Sequence, residues 1–165
     1  MTSEQSAVHR DAELGQKLLR SWLRLRTLPR GRWLFSRLLG RLAPYSGTIG
    51  ADVLTLEPGR AVLRMRERRA LRNHLRSVHA IALANLGELA SGLAATAALP
   101  PGVRGIPTAL TVSYQRKARG TLTAEGHASI PPVDGVAQCV AEAVISNAAG
   151  EVVAVVRVHW ELERV

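Results

Sequence analysis

Apolar residues recur along the chain with two periods, one typical of helices and one typical of strands. Helical spacing is found in residues 11–27 and, after a break at Pro29-Arg30-Gly31, again from Trp33 to Leu42. Residues 80–99 form a longer apolar run that stops at Pro100-Pro101-Gly102 and predicts one long helix. The predicted strands cover residues 47–56, 60–65, 108–114, 121–130, 136–146 and 152–160. This order predicts an α+β fold in which an antiparallel sheet wraps one helix.

The positive charge of the chain is concentrated near its N-terminus. The formal net charge is +9, and residues 1–42 carry nine Lys or Arg against three Asp or Glu. We therefore divide the chain into a basic amphipathic helical extension, residues 1–43, and a main domain, residues 44–165. The extension can cover the main domain with its Leu and Trp side chains, or residues 11–42 can contact an anionic membrane surface. No nucleic-acid motif is present and aromatic residues are only 4%, so we expect no nucleic-acid partner.

Glu88 is the only charged residue of the 80–99 run, which is otherwise apolar almost all round. Asn85 and Ser91 lie three residues to either side, on the same flank of the predicted helix. Burial of an unpaired carboxylate is costly and raises its pKa, and a general base is one use for such a group. The alternative is an ordinary solvent-facing stripe of these three polar residues. An ionised glutamate at mid-bilayer is also costly, so we do not interpret the run as a transmembrane helix.

Asn73 stands six residues before His79, and Glu88 stands nine residues after it. This spacing, with a small-residue helix after the histidine, resembles the hotdog-fold thioesterases of the PaaI-like type, and most closely a poorly characterised hotdog branch. The resemblance covers about residues 44–162, so the two N-terminal helices lie outside it. It implies a hotdog fold, with the sheet wrapped around the long central helix. The chain departs from the family at the helix start, where His79-Ala80-Ile81 replaces His-Gly-Gly.

The resemblance also implies an activity, the hydrolysis of an acyl-CoA or a related acyl-carrier thioester. The thioester carbonyl would accept a hydrogen bond from the Ala80 amide at the helix N-terminus, where His79 shapes the loop. Asn73 would orient water or substrate, and Glu88 would activate water or attack directly. Thr108 is the candidate for a helping hydroxyl. Because Glu88 of one subunit meets the Asn73 loop of the other in such folds, the resemblance implies a homodimer or a dimer of dimers.

Arg116, Lys117 and Arg119 form a basic cluster after a predicted strand. One interpretation is contact with the phosphates of coenzyme A, and the other is positive charge that discourages edge-to-edge strand pairing. A second function also stays open. Ala80 and Ile81 replace the family's two glycines, and this replacement favours a non-catalytic acyl or acyl-CoA binding protein.

Coenzyme A, as part of the substrate, is the only cofactor-like group that the sequence leads us to expect. His74, His127 and His159 show no ligand spacing, so no metal site is predicted. Cys139 is the single cysteine, which excludes a disulfide within the chain and favours a reducing compartment. Together with a polar and charged N-terminal segment, this predicts a cytoplasmic protein. Ser77 is predicted to be the N-cap of the long helix.

Overall fold

The computed structural model describes residues 13–165, and residues 1–12 of the predicted extension lie outside the described residues. The α-helices in the described range are α1 Leu14–Leu25, α2 Gly31–Leu42, α3 Pro44–Gly47 and α4 Ala80–Ala98. The strands are β1 Asp52–Glu57, β2 Arg60–Arg66, β3 Val103–Tyr114, β4 Thr121–Ala128, β5 Val136–Ser146 and β6 Val152–Arg164. A short 3-10 helix, Arg69–Leu71, lies between β2 and α4.

One antiparallel sheet contains all six of these strands, in the order β1-β2-β4-β5-β6-β3. Helix α4 packs against β2, β4, β5 and β6, so the sheet wraps around it. By length and composition α4 is apolar enough to cross a membrane, but most of it is buried inside the fold, as expected for a core helix. The predicted α+β hotdog architecture, with one long central helix, is confirmed.

Glycines let the central helix approach the sheet closely at two points. A Cβ at Gly87 of α4 would overlap the side chain of Val156 on β6, and a Cβ at Gly126 of β4 would overlap the backbone of Ala90 on α4. The helix begins after His79, whose backbone is extended, and ends at Leu99, whose extended backbone is the conformation favoured before proline. The glycine contacts set the distance between the helix and the sheet, and the two end residues set the length of the helix. Together they position the side chains on the exposed flank of α4.

The two N-terminal helices share the hydrophobic core of the main domain. Trp22 of α1 and Phe35 of α2 meet edge to face with ring centroids 5.2 Å apart, and both are buried in the core cluster. Gly15 of α1 abuts the Thr96 carbonyl near the end of α4 so closely that a side chain would not fit. In α2, the Ser36 hydroxyl oxygen accepts a hydrogen bond from the Val53 amide at 2.9 Å, which joins this helix to the edge strand β1. One side of each helix therefore covers the core.

Several predicted boundaries differ from those observed. The strand predicted from residue 47 begins at Asp52, because Pro44 starts a helical turn, α3, in which proline stands in the first turn and needs no amide. Strands β3 and β6 are longer than predicted because they pair with each other from Val103 opposite Arg164 to Tyr114 opposite Ala154. Such pairing adds residues whose own β-propensity is weak.

Candidate active site at the start and flank of the central helix

The loop before α4 is held by the side chain of Asn73. Its Oδ1 accepts hydrogen bonds from the Leu75 amide at 2.9 Å, from the Ser77 amide at 3.2 Å and from the Ser77 hydroxyl at 3.2 Å. The side-chain oxygen of Asn73 is therefore occupied by hydrogen bonds within the loop. The side-chain NH2 group makes no hydrogen bond within residues 13–165. The NH2 group is the part of this side chain that can donate to a ligand.

His79, and not Ser77, is the N-cap of α4. The His79 Nδ1 accepts a hydrogen bond from the Ile81 amide at 3.1 Å. The prediction for Ser77 was wrong because Ser77 lies two residues before the N-cap, and its amide and hydroxyl both donate to Asn73. An Nδ1 that accepts a hydrogen bond belongs to the imidazole tautomer that carries its proton on Nε2. His79 thus supports the helix start with one nitrogen and exposes the other.

The Ala80 amide is left free at the start of α4. The Ile81 amide donates to His79 Nδ1, and the amides of Ala82 and Leu83 donate to the His79 carbonyl at 2.9 Å and 3.2 Å. The Ala80 amide has no acceptor among the described residues. A free amide at a helix N-terminus carries the positive end of the helix dipole, which favours an anionic or developing oxyanion ligand.

Tyr114 is a residue of this region that the sequence reading missed. It is the last residue of β3, and its hydroxyl donates a hydrogen bond to the Ala80 carbonyl at 3.2 Å. The bond joins the edge strand to the first peptide of α4 beside the free Ala80 amide. The available signal was weak: Tyr114 is one of only two tyrosines, and it stands at the end of a predicted strand beside the basic cluster.

Glu88 lies half-buried on the flank of α4, and desolvation by burial raises the pKa of its carboxyl group. The carboxylate makes no hydrogen bond or ion pair with any described residue. A Cβ on Gly92 would lie 3.5 Å from Glu88 Oε1 and 3.6 Å from the Trp160 ring, so the missing side chain leaves room between carboxylate and indole. The surroundings of Glu88 therefore disfavour its ionised form, and there is open space beside its carboxyl group.

The alternative of a solvated polar stripe on α4 is wrong. Asn85 is 8% exposed and Ser91 is 0% exposed, so neither faces solvent. The Ser91 hydroxyl donates to the Gly87 carbonyl at 2.9 Å, while the Asn85 amide group donates to the Tyr45 carbonyl at 3.4 Å. The Asn85 Oδ1 is buried without a partner among the described residues. Of the three polar residues, Glu88 alone is accessible.

The predicted catalytic residues fall into three separate places in one chain. Asn73, His79 and Ala80 lie together at the start of α4, whereas Glu88 lies eight residues further along, about 12 Å at the helical rise per residue. Thr108 forms the bulge of β3, and its hydroxyl donates to the His159 carbonyl at 3.3 Å on β6. Among the described residues, no hydrogen bond joins any of these three places to another.

A backbone hydrogen bond holds the loop that carries the basic cluster beside the start of α4. The Val78 amide donates to the Ala118 carbonyl at 2.8 Å, which brings the loop after β3 against the helix N-terminus. At the end of this loop the Gly120 amide donates to the Glu67 carboxylate, and this hydrogen bond is the main cause of a lowered Glu67 pKa. The basic residues themselves are exposed: Arg116, which pairs with Glu151 at 3.1 Å, Lys117 and Arg119.

One protein-family model matches most of the chain. The model, described as a domain of unknown function (DUF4442), matches residues 31–162. The chain belongs to the DUF4442 family. The matched region includes α2, while the boundary at residue 43 stays a prediction. A search of curated proteins finds no match.

Solved structures have the same fold as this chain. The genomics protein APC5556 is 28% identical, with a TM-score of 0.78, covering 92% of this chain and 99% of its own. A Pseudomonas aeruginosa protein of unknown function, PA5026, described as a probable thioesterase, is 25% identical, with a TM-score of 0.69, covering 84% and 97%. A thioesterase family protein from Silicibacter pomeroyi is 22% identical, with a TM-score of 0.67, covering 79% and 96%. The DUF4442 chain is thus a member of the hotdog thioesterase-like superfamily.

The DUF4442 domain leaves one sheet edge open. β3 ends the sheet on the side away from β1, and its twelve residues are exposed over most of their length. Ile106 and Leu110 are large apolar residues exposed on this edge. In residues 13–165 no group of three His, Cys, Asp or Glu side chains lies close enough to hold a metal ion. An exposed edge strand presents backbone N–H and C=O groups with which a further strand could pair.

Proposed function

We propose that this protein hydrolyses an acyl thioester, an acyl-CoA or an acyl-carrier thioester, with Glu88 as the general base. One observation carries the proposal: an accessible carboxylate on the buried helix has a raised pKa and no partner among the described residues. The raised pKa makes the Glu88 carboxylate a stronger base, and the carboxylate stays accessible to a substrate. A general base is most effective when its pKa lies near the working pH. The thioesterase descriptions of the structural relatives support the same reaction class.

The proposed reaction uses one water molecule. Glu88 removes a proton from the water as its oxygen bonds to the thioester carbonyl carbon, and the carbonyl oxygen becomes an oxyanion. In this proposal the free Ala80 amide donates to the oxyanion, and the unbonded Asn73 NH2 group orients the water or the substrate. When the tetrahedral intermediate collapses, the carbon–sulfur bond breaks and the thiolate receives the proton from Glu88. The products are a carboxylic acid and a thiol, so the reaction is redox-neutral and needs no oxidant.

A second copy of the chain completes the site in this proposal. Ala80 and Glu88 of one chain are about 12 Å apart, too far for both to act on one carbonyl. Helix α2 packs beside β1, where Ser36 accepts a hydrogen bond from the Val53 amide, whereas no described element lies beyond the β3 edge. Pairing of two β3 edges would continue the sheet, cover Ile106 and Leu110, and allow Glu88 of one protomer to face Ala80 of the other. We therefore propose a homodimer, alone or within a dimer of dimers.

The basic cluster is the proposed contact for the nucleotide phosphates of coenzyme A. Arg116, Lys117 and Arg119 lie on the loop that Ala118 fastens to the start of α4. Phosphates bound there would anchor the nucleotide end of the ligand, and the pantetheine arm would carry the thioester to the catalytic groups. Guanidinium and ammonium groups both bind phosphate, the guanidinium with two parallel hydrogen bonds.

Thiol release from a panel of acyl-CoA substrates of increasing chain length tests the activity. We expect wild type to release thiol and Glu88→Gln to lose about 100-fold or more of kcat, because the amide cannot accept the proton. Glu57→Gln, a change of an exposed carboxylate on β1, is the matched control and should keep wild-type rates. No thiol release by wild type, or full activity in Glu88→Gln, would exclude hydrolysis by this route.

A second candidate function is acyl-CoA binding without turnover. The observation in its favour is that the Ile81 amide is occupied by His79, so a single free amide remains at the helix start. Calorimetric titration with an acyl-CoA distinguishes the two functions. Tight binding by wild type and Glu88→Gln alike, with no thiol released by either, would support the binding function.

A further inference from the structure

Helix α2 has apolar residues on two sides, and only one side is used by the fold. Phe35 and Leu39 are buried against the core. Leu34, Leu38 and Leu42, spaced four residues apart, are 40%, 43% and 66% exposed. Residues four apart on a helix lie in one row along its surface, so the three leucines form a continuous apolar row that faces solvent. Exposed apolar surface of this kind marks an interaction site.

A cationic and aromatic row lies beside the leucine row. Trp33, Arg37 and Arg41 are also spaced four apart and exposed, and the Arg37 guanidinium lies 5.5 Å from the centre of the Trp33 ring. We name the two rows together the α2 outer face: Trp33, Leu34, Arg37, Leu38, Arg41 and Leu42. The face therefore combines apolar Leu and Trp side chains with Arg side chains at neighbouring positions along the helix.

No acidic residue is present near this face in sequence. Between Glu13 and Asp52 the chain has eight Lys or Arg and no Asp or Glu. Within residues 13–165, none of the seven arginines of this segment forms an ion pair. No carboxylate of residues 13–165 pairs with these arginines, so their positive charge favours an anionic partner.

We propose that the α2 outer face docks on the surface of an anionic lipid bilayer. The leucine row would enter the boundary between headgroups and acyl chains, Trp33 would lie at the headgroup level, and Arg37 and Arg41 would contact lipid phosphates. An acidic protein would satisfy the arginines but would also have to supply an apolar groove for three leucines. A bilayer supplies both chemistries over any length of helix, which favours it as the partner. This docking is independent of the hydrolytic activity proposed above.

Tryptophan fluorescence gives a direct readout of docking. Trp33 is 53% exposed, whereas Trp22 and Trp160 are 2% and 7% exposed, so a blue shift on adding vesicles reports Trp33. The full chain is titrated with vesicles of phosphatidylcholine alone and of phosphatidylcholine mixed with phosphatidylglycerol. We expect a blue shift and co-sedimentation with the anionic vesicles only, both weakened by high salt.

Paired variants separate the two rows. Leu34→Ser with Leu38→Ser removes apolar insertion, and Arg37→Gln with Arg41→Gln removes two charges; each pair should weaken partitioning about tenfold or more. The control pair, Arg60→Gln with Arg157→Gln on strands of the sheet, removes the same net charge and should bind like wild type. Thermal melts check that each variant is folded, which is expected because the four changed α2 side chains and Arg157 are exposed and Arg60 is partly exposed.

Three outcomes would overturn the proposal. Equal binding to neutral and anionic vesicles would show that the arginines have no lipid role. Unshifted Trp33 emission with anionic vesicles would show that the face does not dock. A smaller particle mass for the leucine variant than for wild type in vesicle-free solution would assign the face to contact between copies of the chain.

Discussion

The hydroxyl of Tyr114 donates a hydrogen bond to the Ala80 carbonyl at 3.2 Å and so joins the end of the β3 edge strand to the first peptide of α4. The free amide that we propose as the hydrogen-bond donor to the thioester carbonyl belongs to the same residue, Ala80. The bond therefore couples the proposed dimer edge to the proposed oxyanion donor. An edge strand that shifts on pairing with a second copy would move this donor with it.

Tyr114→Phe tests the importance of this bond. The change removes one hydrogen bond at a partly exposed position, so the free energy of unfolding should fall by about 1 kcal/mol or less. We expect a larger effect on kcat than on KM, because the Ala80 amide loses its fixed orientation while the basic cluster is unchanged. Denaturant titration and thiol-release kinetics measure the two effects, and a change in KM alone would argue against the positioning role.

The raised pKa of Glu88 predicts two opposite pH dependences. Activity should rise with pH as the carboxyl group ionises, since only the carboxylate can accept a proton from water. Stability should change in the other direction. Between the unfolded and the raised folded pKa, the folded chain retains a proton that the unfolded chain has released, so the free energy of unfolding falls as pH rises through this window.

Glu88→Gln isolates the stability effect. The glutamine variant should melt at a higher temperature than wild type above the raised folded pKa, and at the same temperature as wild type below the ordinary pKa of glutamate. Melting curves at acidic and neutral pH give the comparison. A gap of equal size at both pH values would mean that the charge on Glu88 does not penalise the fold.

Two glycines of α4 form a matched pair for separating stability from activity. Gly87→Ala places a Cβ against the branched Val156 side chain, so about 1–3 kcal/mol of destabilisation is expected from overpacking. Gly92→Ala has no contact closer than 3.5 Å and should keep or raise stability, because alanine favours the helix. The Gly92 variant narrows the space between Glu88 and Trp160, so its thiol-release rate should fall although its melting temperature does not.

His79 can be tested as a cap separately from any catalytic role. His79→Ala should cost about 1 kcal/mol of stability, because the Ile81 amide loses its acceptor. His79→Asn supplies a side-chain oxygen that caps helices well, so it should retain stability and most of the activity. Full stability of the asparagine variant with no activity would assign the imidazole a direct catalytic role instead.

The parts of the fold that depend on local pattern were predictable from the sequence. The helix predicted at 80–99 is observed as Ala80–Ala98, and the strand predicted at 136–146 is observed as Val136–Ser146. Both have strong periodic signals and clear breakers. The spacing of Asn73, His79 and Glu88 led to the loop, the helix start and the carboxylate of the candidate site, and their joint catalytic role stays a prediction.

The features that depend on distant contacts were not predictable in this way. Ser77 has the composition of an N-cap, but Asn73 takes both of its donors, and His79 caps the helix instead. The role of Tyr114 depends on the packing of β3 against the helix start, which sequence spacing does not encode. Thr108 contacts the β6 backbone because β3 has a bulge there, and a bulge has no reliable sequence signal.

Subunit complementation tests the central claim, that Glu88 of one protomer and the Ala80 amide of the other form one site. Ala80→Pro removes only the amide proton, because proline is tolerated at the first helical position and His79 already has the extended backbone favoured before proline. Ala80→Pro and Glu88→Gln should each be inactive, and dimers reassembled from an equal mixture should recover about a quarter of wild-type thiol release, one intact site in half of the dimers. No recovery in a mixture shown to contain mixed dimers would contradict the account.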